Sequence, residues 1–278
     1  MKKISRRSFL AAAGLSVAAL ALTACGGSAS SVASSVASSA SSAAASTSAA
    51  AGELTTVEAG KLTMATNAAF PPYEMTTDAG DFEGIDIETA QAIADKLGLE
   101  LQIDDMDFDA ALLSVQQGKA DIVMAGVTVT DERKAVMDFS DSYATGIQSI
   151  IVPEGSDIAS PDDLAGKKIG TQRGTTGYIY CSDDFGDENV VAYDDGLTAV
   201  QALNNGQVDA VVIDNAPAQE FIAANPGLKI LDTSYAEEDY AICMAKNSPL
   251  EDAVNSVLEE LKADGTLQAI VDKYITAE

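Results

Sequence analysis

The chain has 278 residues, 47% of them hydrophobic and 21% charged, with a formal net charge of −27 and no histidine or tryptophan. This length and composition suit one large or two modest globular domains, and the acidity excludes nucleic-acid binding because phosphates would be repelled. Without histidine there can be no Ser-His or Cys-His nucleophile pair and most zinc sites are excluded, so no metal or cofactor is expected.

The first 25 residues have the organisation of an export signal. Basic residues at positions 2, 3, 6 and 7 precede an apolar stretch from Phe9 to Leu22, which is too short to span a bilayer but suits a signal-peptide core. The stretch ends in Leu-Thr-Ala-Cys, which resembles a lipobox. We therefore predict a lipoprotein signal peptide over 1–24 and lipidation at Cys25; the alternative is a structural cysteine after an uncleaved helix. The Arg6-Arg7 pair is compatible with either Sec or twin-arginine export.

A Ser/Ala-rich segment follows the lipobox. Residues 28–51 contain 11 serines and 10 alanines among 24 residues, so they cannot supply a hydrophobic core. We predict that residues 25–52 are a lipidated tether. The folded part would then lie outside the cytoplasm, attached to the cell membrane only through its lipid anchor.

Alternating strand and helix patterns begin near Glu53. An apolar face repeats at helical spacing over 86–97, and Gly98 ends that helix. Alternation of strands and helices at this spacing predicts an α/β fold with parallel sheets covered by helices. The predicted order is strand 61–66, helix 86–97, strand 99–103, helix 108–117 and strand 120–127.

One pattern of helix, glycine and strand occurs twice, 88 residues apart, over 112–124 and 200–212. Either this is a common feature of α/β proteins, or the chain forms two lobes of like topology. On the second interpretation, 53–147 plus 241–278 form lobe 1 and 148–240 form lobe 2. Strands over 148–153 and 240–245 cross between the lobes, and 249–274 supplies helices that close lobe 1. Two crossings of this kind make a hinge.

Seven short segments occur in order and at a characteristic spacing: AAFPPYE (68–74), GIDIE (84–88), MDFD (106–109), AGVTVTDER (125–133), DFS (138–140), GTT (174–176) and ID (213–214). Together they resemble the polar amino-acid-binding proteins of ABC importers, which have the type II periplasmic-binding fold. The resemblance implies two lobes, each a mostly parallel sheet flanked by helices, joined by two hinge strands. It also implies a small amino acid ligand, a permease and an ATPase as separate chains, and a monomer.

The resemblance assigns partners to the charges of a zwitterionic ligand. Arg133 matches the carboxylate clamp, because its planar fork can bind both oxygens, and Asp214 matches the ammonium partner. Gly126 and Thr128 would contact the ligand from lobe 1 and Thr176 from lobe 2. Without the resemblance, Arg133 would be interpreted as a surface arginine paired with a neighbouring acid, and Asp214 as a turn or helix-capping residue.

Four further residues match positions that contact the ligand side chain. Phe70 and Phe108 match aromatic walls, although core packing is the alternative for each. Asn67 stands where members that bind cationic side chains often carry aspartate, and Gln172 suits a polar neutral group. The sequence therefore favours a neutral polar ligand such as glutamine, or a sulfur-containing one such as cystine.

Other functions remain as alternatives. An enzyme on this fold, of the dehydratase kind, could use paired carboxylates, and a sensor or adhesin could use the same cleft without transport. The acidic segment 105–109 resembles a calcium loop but lacks the required glycine and final glutamate, so we reject a calcium site. Cys181 and Cys243 are expected to be free thiols, because a disulfide between them would lock the hinge.

Overall fold

Helices and strands alternate along residues 54–275, the part of the chain that the computed structural model describes. The predicted signal peptide, the lipidated Cys25 and the predicted tether lie outside these residues. The helices are α1 (Ile85–Leu97), α2 (Phe108–Gln116), α3 (Asp131–Lys134), α4 (Thr176–Phe185), α5 (Gly196–Asn204), α6 (Asn215–Ala224), α7 (Glu251–Ala263) and α8 (Thr266–Tyr274). The strands are β1 (Lys61–Thr66), β2 (Ala69–Phe70), β3 (Glu74–Thr76), β4 (Phe82–Glu83), β5 (Glu100–Asp105), β6 (Ile122–Val123), β7 (Met137–Phe139), β8 (Ala144–Pro153), β9 (Ile169–Gln172), β10 (Val190–Tyr193), β11 (Ala210–Asp214), β12 (Leu228–Ile230), β13 (Ala236–Tyr240) and β14 (Cys243–Ala245).

Two main sheets are built on the same plan. The first has the strand order β5-β1-β6-β14-β7, and the second has the order β10-β9-β11-β8-β12, with β13 also paired to β8. In each, one strand lies between the two strands that follow it in that sheet and pairs with both in parallel: β1 lies between β5 and β6, and β9 lies between β10 and β11. The repeated sequence pattern corresponds to α2–β6 in one sheet and α5–β11 in the other. Gly118 and Gly206 have matching φ angles of 66° and 68° after those helices.

Parallel pairing is restricted to those three strands, so each sheet is mixed rather than mostly parallel. The fourth strand of each is antiparallel to its neighbour: β14 runs against β6, and β8 against β11. β8 is the strand with which the chain enters the second sheet, and β14 is the strand with which it returns to the first. A third, small sheet consists of β2, β3 and β4, which lie between β1 and β5 in the sequence.

Helices cover both faces of each main sheet. The side chains of Leu62 and Met64 pack in one cluster with α1, α7 and α8, while Ala65 and Val123 pack in another with α2. The second sheet is likewise buried on one face by α5 and α6 and on the other by α4. Burial of strands on both faces explains their nearly continuous apolar sequences. No helix among residues 54–275 has the length and apolar character needed to cross a membrane.

The strand predicted over 120–127 is shorter in the structure. Only Ile122 and Val123 form a strand, and the chain turns at Gly126, whose φ is 54°. A side chain there would meet the Phe70 ring, since an added Cβ lies 2.9 Å from Phe70 Cε1. After this turn the chain leaves the sheet and reaches Thr128, which forms an isolated antiparallel bridge with Tyr240.

The strand that makes the first crossing starts earlier than predicted. The strand expected over 148–153 begins at Ala144, because 144–148 pair with β13 in the second sheet. The chain therefore leaves the first sheet after Phe139 and returns to it between Tyr240 and Cys243.

Candidate functional site

A cavity of about 440 Å³, part of it open to solvent, lies between the two main sheets. It is lined from the first side by the turn after β1, the start of α2 and the segment after β6, and from the second by the ends of β9 and β11 and the start of α4. All nine residues predicted to contact a ligand line it: Asn67, Phe70, Phe108, Gly126, Thr128, Arg133, Gln172, Thr176 and Asp214. The structure thus brings together residues up to 147 positions apart in the sequence.

Arg133 is a buried cation with only neutral partners. It lies in the short helix α3, whose start is capped by Thr130, and its side chain is 8% exposed. Its Nη1 donates to the Thr128 carbonyl at 2.8 Å and Nη2 to the Gly174 carbonyl at 3.1 Å, and its Cζ lies 5.5 Å from the centre of the Phe108 ring. Burial lowers the pKa of this guanidinium. Among residues 54–275 no carboxylate forms an ion pair with it, so an anion in the cavity would be strongly favoured beside it.

Asp214 is a buried carboxylate, 1% exposed, at the carboxyl end of β11. Its Oδ1 accepts from the Ala216 N–H and caps α6, while Oδ2 accepts from the Ile147 N–H and the Tyr240 hydroxyl. Burial raises its pKa to about 6, although these three hydrogen bonds favour the charged form. Asp214 therefore caps a helix, the alternative interpretation from the sequence, and also faces the cavity without an ion-pair partner in the described part of the chain.

Several hydrogen bonds between described residues join the two sides of the cavity. Gln172 Nε2 donates to Asn67 Oδ1 at 2.8 Å, and Arg133 reaches Gly174 as described. The Thr128 and Thr176 hydroxyl oxygens lie 3.3 Å apart. Since the single Thr128 proton is donated to Glu238 at 3.0 Å, Thr176 is the donor of that pair. The structure is therefore a closed form of the cavity.

Gly174 is one position where glycine is required by a close approach. Its φ is 75°, and an added Cβ would lie 3.2 Å from the Cβ of Asp109 across the cavity. Left-handed backbone of this kind strains any residue with a side chain. Glycine here lets the Gly174 carbonyl reach Arg133.

The aromatic residues have different surroundings. Phe70 is partly exposed, stacks on Tyr73 at 5.7 Å between ring centres, and packs against apolar residues of both main sheets. Phe108 is buried and belongs to the core that includes α2, so both predicted alternatives, core packing and cavity lining, apply to it.

Sequence reasoning did not assign several residues that also line the cavity: Glu74, Ala125, Gln148, Thr175, Val212, Ile213 and Tyr240. Gln148 Nε2 and the Thr128 hydroxyl both donate to Glu238 Oε2. Tyr240 reaches the site because it ends β13, the strand from which the chain returns to the first sheet. Glu74 reaches it through the β2–β3 pairing, which is too short to give a strand pattern in the sequence.

Glu74 and Asp86 form a buried pair of acids behind Gly126. Asp86 Oδ2 accepts from the Gly126 N–H at 3.0 Å and the Tyr143 hydroxyl at 2.8 Å. Asp86 Oδ1 and both Glu74 oxygens are buried and receive no hydrogen bond from a described residue. Burial raises the pKa of Asp86 to about 6, and burial together with the Asp86 charge raises that of Glu74 well above its usual range.

No cysteine is among the described residues that line the cavity. Cys181 and Cys243 are buried and free, as expected, and belong to the cores of different sheets. Within residues 54–275 no group of three cysteine or acidic side chains could hold a metal ion.

The sequence is similar to those of known solute-binding proteins. A sequence profile of bacterial extracellular solute-binding proteins, family 3, matches residues 62–277. The L-cystine-binding protein TcyJ of Escherichia coli (strain K12) is 33% identical over 226 residues, covering 80% of this chain and 85% of that protein. The arginine-binding extracellular protein ArtP of Bacillus subtilis (strain 168) is 32% identical over 228 residues, covering 78% and 87%.

A solved structure of an amino-acid-binding protein is also similar to this chain. An ancestral arginine-binding protein bound to glutamine has a TM-score of 0.75 and 41% identity, covering 78% of this chain and 99% of that one. This likeness confirms the two-lobed α/β fold class predicted from the sequence.

Proposed function

The chain belongs to family 3 of the bacterial extracellular solute-binding proteins, and from this we propose that it captures one free amino acid in the cavity between its two sheets. The family confirms the prediction of a solute-binding protein rather than an enzyme. The names of its relatives, which bind cystine and arginine, support an amino acid as the solute.

One observation carries the proposal: a buried cation and a buried anion line the same cavity, and neither has an ion-pair partner among the described residues. Arg133 and Asp214 would each be costly to bury alone. A zwitterion supplies both missing partners at once. Its carboxylate would accept from the Arg133 guanidinium, and its ammonium would donate to the Asp214 carboxylate.

The remaining contacts are divided between the two lobes. Gly126 and Thr128 would hold the α-carboxylate and ammonium from lobe 1, and Thr176 would donate its N–H from lobe 2. Phe70 and Phe108 would flank the side chain. Since only the closed form offers both sets of contacts, the ligand would shift the population toward it.

We further propose that the closed protein delivers its amino acid to an ABC permease, with the permease and its ATPase as separate chains, and acts as a monomer. Cleavage before Cys25 and acylation of that cysteine would anchor it to the outer side of the cell membrane through the 25–52 tether. The two lobes would be those predicted from the sequence, 53–147 plus 241–278 and 148–240, with residues 144–147 forming the first crossing and pairing in the second sheet.

A thermal-shift panel tests the amino-acid assignment. The full-length chain is unfolded and refolded to remove bound solute, then heated with each common L-amino acid and with cystine. A ligand at 100 times its dissociation constant should stabilise the fold by about 2.7 kcal/mol. We expect one or a few amino acids to raise the melting temperature; no shift with any of them would refute the proposal.

A further inference from the structure

One buried carboxylate lies beside the cavity without being part of its lining. Glu238 of β13 is 6% exposed. Its Oε2 accepts two hydrogen bonds, from the Thr128 hydroxyl at 3.0 Å and from Gln148 Nε2 at 3.0 Å. Both donors line the cavity, so Glu238 is one residue removed from the position of a ligand.

The backbone around Thr128 is held against the same strand. The Val129 N–H donates to the carbonyl of Asp239, in β13, at 3.0 Å. The Val127 carbonyl accepts from the Ala241 N–H, one residue beyond β13, at 3.1 Å. With its backbone fixed on both sides, Thr128 keeps its hydroxyl within reach of both the β13 carboxylate and the cavity.

The hydroxyl of Thr128 therefore has a fixed direction. A hydroxyl has one proton and two lone pairs. Its proton is donated to Glu238, so its oxygen can only accept from the cavity side. The Thr176 hydroxyl lies 3.3 Å away as a donor, and the remaining lone pair of Thr128 can accept from a ligand.

An amino group in the cavity would meet two acceptors, the Thr128 oxygen and the Asp214 carboxylate. An ammonium has three protons and can donate to both at once. An α-hydroxyl has a single proton, so it would leave one acceptor facing its own lone pairs. A site of this kind rejects an analogue that lacks a donor, because a buried polar group is then left unpaired.

The rejection depends on the direction of the Thr128 proton. Without Glu238, the hydroxyl could turn and donate to the oxygen of an α-hydroxyl ligand. We propose, on the basis of the amino-acid-binding function above, that Glu238 is a positioning residue, which holds the Thr128 proton away from the cavity and thereby makes the site select an α-ammonium over an α-hydroxyl. It acts through Thr128 and does not itself contact the ligand.

Competition between amino acids and 2-hydroxy acids tests this inference. L-Arginine and L-glutamine, one cationic and one neutral, are each titrated into the full-length chain at pH 8, and their (S)-2-hydroxy analogues are measured by displacement. The same pairing is applied to any other amino acid that the thermal-shift panel identifies. The readout is the ratio of the two affinities within a pair. Loss of packing or of closure weakens both members of a pair and cancels in this ratio.

Four variants separate the hydrogen bond of Glu238 from its charge. Glu238→Met removes the acceptor while keeping the length of the side chain, and we expect it to lower the ratio about tenfold. Glu238→Gln should keep the ratio within about threefold of wild type, because two donors at the Oε2 position favour the carbonyl oxygen of the amide there. Glu237→Met makes the first substitution at the exposed neighbouring residue and should leave the ratio unchanged. In Thr128→Val, which has no hydroxyl to direct, Glu238→Met should have no further effect on the ratio.

The outcomes separate this inference from the function on which it rests. If no amino acid binds, the proposed function fails. If amino acids bind and Glu238→Met leaves the ratio unchanged, the amino-acid function stands and the role of Glu238 is overturned. It is also overturned if Glu238→Gln lowers the ratio as much, since charge alone would then be responsible, or if Glu238→Met has its full effect in Thr128→Val. Glu238→Ala removes the acceptor equally and replaces Glu238→Met if that variant does not fold.

Discussion

The Nε2 atom of Gln172, the last residue of β9, donates a hydrogen bond of 2.8 Å to Oδ1 of Asn67, the residue that follows β1. The two residues are 105 positions apart and belong to different main sheets, and both are buried. The bond therefore exists only when the cavity between the sheets is closed. It stabilises the closed form independently of any contact that a ligand makes.

Replacement of Gln172 by alanine should shift the free protein toward an open form. One hydrogen bond is worth about 0.5–1.5 kcal/mol, so the closed population and the amino-acid affinity should fall by roughly two- to tenfold. Small-angle scattering of the free protein measures the opening as a larger radius of gyration. Gln207→Ala, at an exposed loop position, is the control; identical scattering from Gln172→Ala and wild type would show that this bond has no effect on closure.

The stability of the free protein should rise as the pH falls from 7 to 5. Burial raises the pKa values of Asp86 and Asp214 to about 6, above the ordinary aspartate value of 3.8. A group that binds its proton more tightly when folded lowers stability as the pH rises through the interval between the two values. Each carboxyl should contribute about 1 kcal/mol between pH 7 and pH 5.

Urea denaturation at the two pH values measures this difference. Asp214→Asn should lose its share of the effect, whereas Asp78→Asn, at an exposed position, should keep all of it. Exposed carboxyls with lowered pKa values, such as that of Asp163, act in the opposite direction but below about pH 4. Equal pH dependence in Asp214→Asn and wild type would contradict the assignment.

Gly146 of β8 leaves room for Tyr240, and this can be tested by adding one methyl group. A Cβ at Gly146 would lie 2.3 Å from Tyr240 Cζ and 2.5 Å from its hydroxyl oxygen. Displacing the ring would also strain the hydrogen bond from Tyr240 to Asp214. Overpacking of this kind costs about 1–3 kcal/mol, so Gly146→Ala should melt several degrees lower.

Gly155→Ala is the matched control, because nothing lies within 4 Å of a Cβ at that position. Its melting temperature should stay close to that of wild type. If both variants had the same melting temperature as wild type, the close packing of Tyr240 against β8 would be contradicted.

The two buried thiols should be unreactive in the folded protein. Burial raises the pKa of Cys181 to about 12 and raises that of Cys243 as well. Because the thiolate is the reactive form, an aromatic disulfide reagent should label neither residue natively and both rapidly in denaturant. Rapid labelling of either thiol under native conditions would contradict the structure.

Secondary structure could be predicted well where apolar residues repeat along the sequence with the period of the helix or strand that they form. β1 was predicted with its observed bounds, and α1 to within one residue, because its apolar face repeats at helical spacing. The shared plan of the two sheets could be inferred from the repeat that includes Gly118 and Gly206. The antiparallel strands β8 and β14 could not, because their pairing depends on where the chain crosses between sheets.

The site was predictable to the extent that its residues lie in recognisable segments. Arg133 and Asp214 could be identified by resemblance, whereas Glu74 was known only as a neighbour. Its position at the cavity depends on the pairing of β3, a strand of three residues, with β2, a strand of two. Strands this short leave no periodic signal in the sequence.

The central claim is that Arg133 holds the α-carboxylate of an amino acid, and titration of the best-binding L-amino acid against its α-carboxamide tests it most directly. The carboxamide has the same side chain and ammonium but no negative charge for Arg133. A charge-assisted hydrogen bond contributes about 1.5–3 kcal/mol, so the carboxamide should bind roughly ten- to hundredfold more weakly to wild type. In Arg133→Ala the amino acid should be weakened and the preference over the carboxamide lost. Equal binding of the two ligands to wild type, or an unchanged preference in Arg133→Ala, would contradict the account.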